Sequence, residues 1–188
     1  MPVVSARGLG LRTRRGWVFR DVDLVAEPGE LVALTGPAGS GRTSLLLALA
    51  GHFAISTGEL RRSGPAGVGL VRGVNEPEPG LTAAEHVAER RLLTGRAGGP
   101  VPDLPVYGRT LGRDLTPYQR QRLMLRLATL GRPALVVADD VDLGLSTVER
   151  EELWTELADL AGQGHAVIVS CREAAGAATG YPMGETDR

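Results

Sequence analysis

The sequence predicts an α/β fold with a mostly parallel central sheet, preceded by N-terminal β strands and carrying a small helical insertion. Three observations predict it. Leu31 to Thr35 is a short apolar run that passes through a glycine-rich turn into the leucine-rich segment Thr43 to Ala50. Ala134 to Ala138 is apolar without interruption, as a strand buried on both faces should be. Ala166 to Ser170 repeats that pattern after a helical stretch, so strands and helices alternate as a parallel sheet requires.

Taken in order, Val3 to Leu11 and Trp17 to Leu24 read as two strands, the second alternating Val18, Arg20, Val22, Leu24 against Phe19, Asp21, Asp23. Pro28-Gly29 turns the chain into the strand Leu31 to Thr35, and Gly51 closes the helix that follows. Ser56-Thr57-Gly58 marks a turn before a further strand, and Gly64 to Gly69 reads as a flexible connection into a strand at Val68 to Val71. Asn75 to Gly80 is an acidic, proline-broken loop. Thr82-Ala83-Ala84-Glu85 is a capping box that opens a helix reaching Leu93, and Gly95 to Gly108 reads as a surface loop. Thr116, Pro117 and Gln119 start the next helix as N-cap, N1 and N3, with Leu123, Leu127 and Leu130 or Met124 as its buried face. Ser146 and Glu149 form a third capping box, before a helix lined by Leu153, Leu157 and Leu160. We expect one domain over 1–188: a core of 1–73 and 131–173, a helical insertion and following helix over 74–130, and a loose tail over 174–188.

Composition fits an ordinary globule, with 43% hydrophobic and 23% charged residues and a net charge of −1. That balance gives no electrostatic reason to bind nucleic acid or an anionic membrane. No apolar run approaches the ~20 residues of a spanning helix, so direct membrane insertion is not expected. A single cysteine, Cys171, leaves no internal disulfide and suits a reducing cytoplasm. All 21 of the Lys and Arg residues are arginine.

The chemistry concentrates in Gly36-Pro37-Ala38-Gly39-Ser40-Gly41-Arg42-Thr43-Ser44. Spacing Gly36 and Gly41 by four residues lets backbone N–H groups converge on an anion where a helix begins, and nucleotide phosphates are the expected anion. The P-loop pattern asks for lysine where Arg42 stands, and a planar fork must fit where a slim ammonium would act as a point charge. A plain glycine turn in a Gly/Ala-rich chain is the other reading of this stretch. Asp139, at the end of a buried strand, suits a Mg²⁺ ligand with Thr43 as the second oxygen donor. Asp139 and Asp140 also suit a simple turn after a strand.

The order of these pieces resembles the ATP-binding cassette family, the nucleotide-binding domains that drive membrane transporters, over about Val3 to Glu173. The resemblance rests on Gly36 to Thr43 as Walker A and on Leu115-Thr-Pro-Tyr-Gln-Arg-Gln-Arg-Leu where the signature Leu-Ser-Gly-Gly-Gln begins. It rests further on Ala134 to Asp140 as Walker B, Gly144-Leu145-Ser146 at the D-loop, and Val167 to Arg172 at the switch-histidine strand. It implies a P-loop NTPase core that binds ATP and Mg²⁺, with Asp140 in the place of the catalytic glutamate and Arg172 in that of the switch histidine. Gly73 stands at the glutamine of the Q-loop with Asn75 two residues on, and Pro117 and Tyr118 replace the signature glycines. Near Thr13 the adenine-stacking aromatic is missing, and Trp17 reads as a strand residue.

The resemblance implies a cytoplasmic ATP-binding subunit held at the inner face of the cell membrane by a membrane-embedded transport protein. It would pair with a second cassette as homo- or heterodimer and hydrolyse ATP weakly or with a partner's help. The acidic loop Asn75 to Gly80 and the helix to Leu93 lie where the family docks on its membrane domain, although a solvated loop explains the same residues. The alternative function is a pseudoenzyme that keeps the fold as a regulatory or scaffold subunit.

Overall fold

A computed structural model describes residues 1–95 and 103–184. Part of the expected loop between Gly95 and Gly108 and the end of the tail lie outside the described residues.

Two sheets face one buried helix. Strands β1 (Val4–Thr13), β2 (Gly16–Ala26) and β4 (Thr57–Arg62) form an antiparallel sheet in the order β2-β1-β4. The second sheet is parallel throughout, in the order β5-β6-β7-β3-β8, from β3 (Leu31–Thr35), β5 (Ala66–Val68), β6 (Leu135–Ala138), β7 (Ala166–Ser170) and β8 (Thr179–Pro182). Helix α1 (Arg42–Leu49) lies between the sheets, which is why Leu45 to Leu49 are all buried rather than forming one apolar stripe.

Alternation along the parallel strands then sorts the core. Val32, Leu34, Leu135, Val137 and Ile168 face α1 and the antiparallel sheet. Leu31, Ala33, Val136, Ala138, Val167 and Val169 face α3 (Pro117–Thr129) and α4 (Thr147–Gly162). With both faces covered, β3, β6 and β7 are apolar up to the terminal Thr35 of β3 and Ser170 of β7. Helix α2 (Ala83–Leu93) packs with α3 around a third cluster that includes Leu70, Val87, Leu123 and Met124. Thr82, Thr116 and Ser146 cap α2, α3 and α4 through complete capping boxes.

Three expectations are corrected. In β2 the alternation changes phase: Asp21 takes φ +53°, the register with β1 shifts, and Phe19 is buried while Arg20 is exposed. The edge strand is Ala66–Val68 rather than Val68 to Val71. It is no flexible connection, because Gly67 lies so close to α3 that a Cβ there would sit 2.3 Å from the Ala128 carbonyl oxygen. The tail, expected to be loose from 174, instead adds β8 to the sheet beside β3, and Met183 N–H donates to Thr35 O at 2.7 Å. Its order comes from backbone pairing, which leaves little hydrophobic pattern to read.

Candidate functional site

Because the sheet is parallel, β3, β6 and β7 end on one edge, and that edge collects the chemistry. The loop after β3 turns on Gly36, Gly39 and Gly41, with φ of 146°, 86° and 87°. A Cβ at Gly41 would stand 2.3 Å from Val18 O, and one at Gly36 would stand 2.7 Å from Met183 O. The loop is therefore wedged between β2 and β8 and has room for glycine alone at these two points. The Ser40 hydroxyl within it is buried without a hydrogen-bond partner.

From the end of β6, Asp139 reaches back to the start of α1: Thr43 Oγ1 donates to Asp139 Oδ2 at 2.7 Å. Ser170, the last residue of β7, donates its hydroxyl to Asp139 Oδ1 and accepts the Asp140 N–H at 2.7 Å. Asp140 takes φ +42°, a left-handed conformation that aspartate tolerates better than most residues. Its carbonyl and that of Asp139 accept from Gln121 Nε2 at 3.4 and 3.2 Å. Burial, then the adjacent Asp139, push the Asp140 carboxyl above its ordinary value.

Arg42 folds back across the loop, donating from Nη1 to Gly36 O and from Nη2 to Asp140 Oδ1 at 3.3 Å. Thr43, Asp139, Asp140 and Arg42 thus lie together at this edge of the sheet. Arg172 follows β7 on the same edge but is exposed, with its backbone N–H donating to Asp142 Oδ2 at 2.9 Å. Its side chain takes no part in the bonds joining Thr43, Asp139, Ser170 and Asp140. Asn75 turns its amide inward, donating to Val68 O and Gly69 O at 2.8 and 2.7 Å. Ser170 and Gln121 are the residues sequence reasoning missed. A hydroxyl closing the otherwise apolar run Ala166 to Val169 was the available signal for the first.

The donor set suits a nucleotide with a divalent cation. A glycine-rich loop that leads into a helix N-terminus suits an anion, and a hydroxyl beside a carboxylate is the hard-oxygen pair a Mg²⁺ would take. The ABC transporter family profile matches residues 19–142, from β2 through the loop and past the end of β6. The chain belongs to the ABC transporter family. A Streptomyces avermitilis protein described as an ABC transporter ATP-binding protein is 34% identical over 191 residues, covering 92% of this cassette and 34% of that protein. The zinc import ATP-binding protein ZnuC of Ruegeria pomeroyi is 33% identical, over 77% of this chain and 58% of its own. The lipoprotein-releasing system ATP-binding protein LolD 2 of Rhodospirillum rubrum is 30% identical, over 95% and 90%. The chain thus spans about a third of the Streptomyces relative and a little over half of the Ruegeria one. A dimeric bacterial ABC transporter cassette shares the fold, with a TM-score of 0.73 at 18% identity over 98% of this chain and 97% of that one.

The first residues of α3 are engaged within the chain. Pro117 starts α3, and Tyr118 turns onto α4, its hydroxyl donating to Glu152 Oε2 at 2.8 Å. Burial and that hydrogen bond push the Tyr118 phenol up to about 12. Arg122 lies over the same ring, 5.2 Å from its centroid, and pairs with Glu156 of α4. Trp17 carries Arg12 over its ring at 5.6 Å. Among the described residues no helix is long and apolar enough to cross a membrane.

Proposed function

We propose that this chain is the ATP-binding part of an ABC transporter, holding ATP on Gly36, Pro37, Ala38, Gly39, Ser40, Gly41, Arg42, Thr43 and Ser44. Thr43 and Asp139 would hold Mg²⁺, which would supply neutralisation of phosphate charge. The observation that supports this best is the 2.7 Å bond between Thr43 and Asp139, which brings together two oxygen donors that are 96 positions apart in sequence. The chain works at the cytoplasmic face with a membrane-embedded transport protein, which docks on Asn75 to Gly80 and α2, and with a second cassette.

Hydrolysis by its own site is weak or depends on the partner. Asp140 is one methylene shorter than a glutamate and is engaged by Arg42, and Arg172 stands where a histidine would contact the γ-phosphate. Losing one preorganised contact to transition-state charge typically costs on the order of 10²–10³ in rate. Tyr118 and Arg122, turned onto α4 instead of leaving the glycine surface of the signature, favour a second reading: a cassette-fold regulatory or scaffold subunit that has given up catalysis.

Titration with a fluorescent ATP analogue, with and without Mg²⁺, separates the readings. Metal-dependent binding that Thr43→Ala and Asp139→Asn both weaken is the expected result. Absence of binding at millimolar nucleotide by the chain alone and with its partner would leave only the scaffold.

A further inference from the structure

Two adjacent carboxylates end β6, and the structure divides their work. Asp139 takes the hydroxyls of Thr43 and Ser170. Asp140 takes the guanidinium of Arg42, and its direction is fixed by its own backbone. That backbone has φ +42°, with the N–H on Ser170 and the carbonyl on Gln121. The pair is largely withdrawn from water, with the Arg42 side chain 13% and the Asp140 side chain 32% exposed.

We propose that Asp140 is a positioning residue for Arg42, holding its guanidinium against the loop until a nucleotide phosphate takes over its donors, so that this pair sets how tightly the chain binds nucleotide. The inference rests on the nucleotide reading above. Arginine suits the arrangement. Its two terminal nitrogens point apart in a rigid fork, so one can hold Gly36 O while the other holds Asp140. A phosphate seated on the loop N–H groups needs the same guanidinium, and it carries the charge that Asp140 repels. Binding therefore exchanges one anion for another on Arg42.

The test is a double-mutant cycle on the full chain, reading the Kd of a fluorescent ATP analogue in the presence of Mg²⁺. Asp140→Asn should tighten binding roughly three- to five-fold, the upper part of the range for a partly screened ion pair. In an Arg42→Ala background the same change should alter Kd by about two-fold or less, because the anion has nothing left to hold. Asp140→Ala provides a second neutral variant if the amide does not fold. Equal tightening in both backgrounds would show that Asp140 acts by its field alone and would overturn the inference, as would unchanged or weaker binding by both neutral variants. Binding by a neutral variant where the wild type shows none would support it. Failure of every variant to bind would remove this inference, and the proposed function with it if binding is absent beside the partner too, whereas a wild type that binds with no coupling removes only the inference.

Discussion

Ser170 occupies a position between the side chain of Asp139 and the backbone of Asp140, fully buried, donating to one and accepting from the other. Replacing it by alanine would leave a buried N–H without an acceptor and take one donor from a carboxylate that already has few. An unmade buried hydrogen bond costs about 1–3 kcal/mol, so Ser170→Ala should lower unfolding free energy by about that amount in a urea titration. It should also weaken Mg²⁺-dependent nucleotide binding, since Asp139 loses the contact that sets its rotamer. A variant as stable as wild type would mean that water replaces the hydroxyl. The neighbouring Cys171 offers no substitute chemistry: burial pushes its thiol up to about 12, so it stays protonated.

At the scale of the element, the same device begins three helices, and it carries a charge in two of them. Glu85 accepts from Thr82 and Glu149 from Ser146, whereas α3 uses the neutral Gln119. Backbone and hydroxyl hydrogen bonds hold both glutamates below their ordinary value of 4.5. A folded-state value below the unfolded one contributes stability that is present above about pH 4.5 and is lost as the pH falls through the folded value. The double variant Glu85→Gln/Glu149→Gln should therefore be less stable than wild type near neutrality, where the carboxylates also face helix N-termini, and the gap should close on acidification. Thermal unfolding between pH 7 and about 3 checks this, and a gap that stays constant would show that the charge is irrelevant to the caps. All three boxes could be read from Thr82-x-x-Glu85, Thr116-x-x-Gln119 and Ser146-x-x-Glu149, because a cap is local chemistry written over four residues.

Across the whole molecule, what could be read was whatever side chains alone dictate. The runs in β3, β6 and β7 announce a sheet covered on both faces, and the glycines after β3 announce the loop. What could not be read depends on backbone geometry or on contacts between distant segments. The left-handed Asp21 moves Phe19 into the core against the simple alternation, and Arg42 finds Asp140 across 98 positions. Strand β8 is the largest such case: Thr179-Gly-Tyr-Pro is held by its ladder to β3, and its only large apolar side chain, Tyr181, is half-buried. Thr35 O accepts from Met183 while Leu34 O accepts from Cys171, so alternate residues of β3 face β8 and β7 in turn. A chain cut after Gly176 should therefore lose amide protection at Ala33 and Thr35, on the β8 side, and retain it at Val32 and Leu34, on the β7 side. It should also lose affinity for nucleotide, because Met183 O is one wall of the space that confines Gly36. Hydrogen exchange resolved by residue reads both sides of β3 in one experiment. Unchanged exchange at Ala33 and Thr35 would mean that β8 does not pair in solution, and a uniform rise along β3 would mean that the whole sheet depends on it.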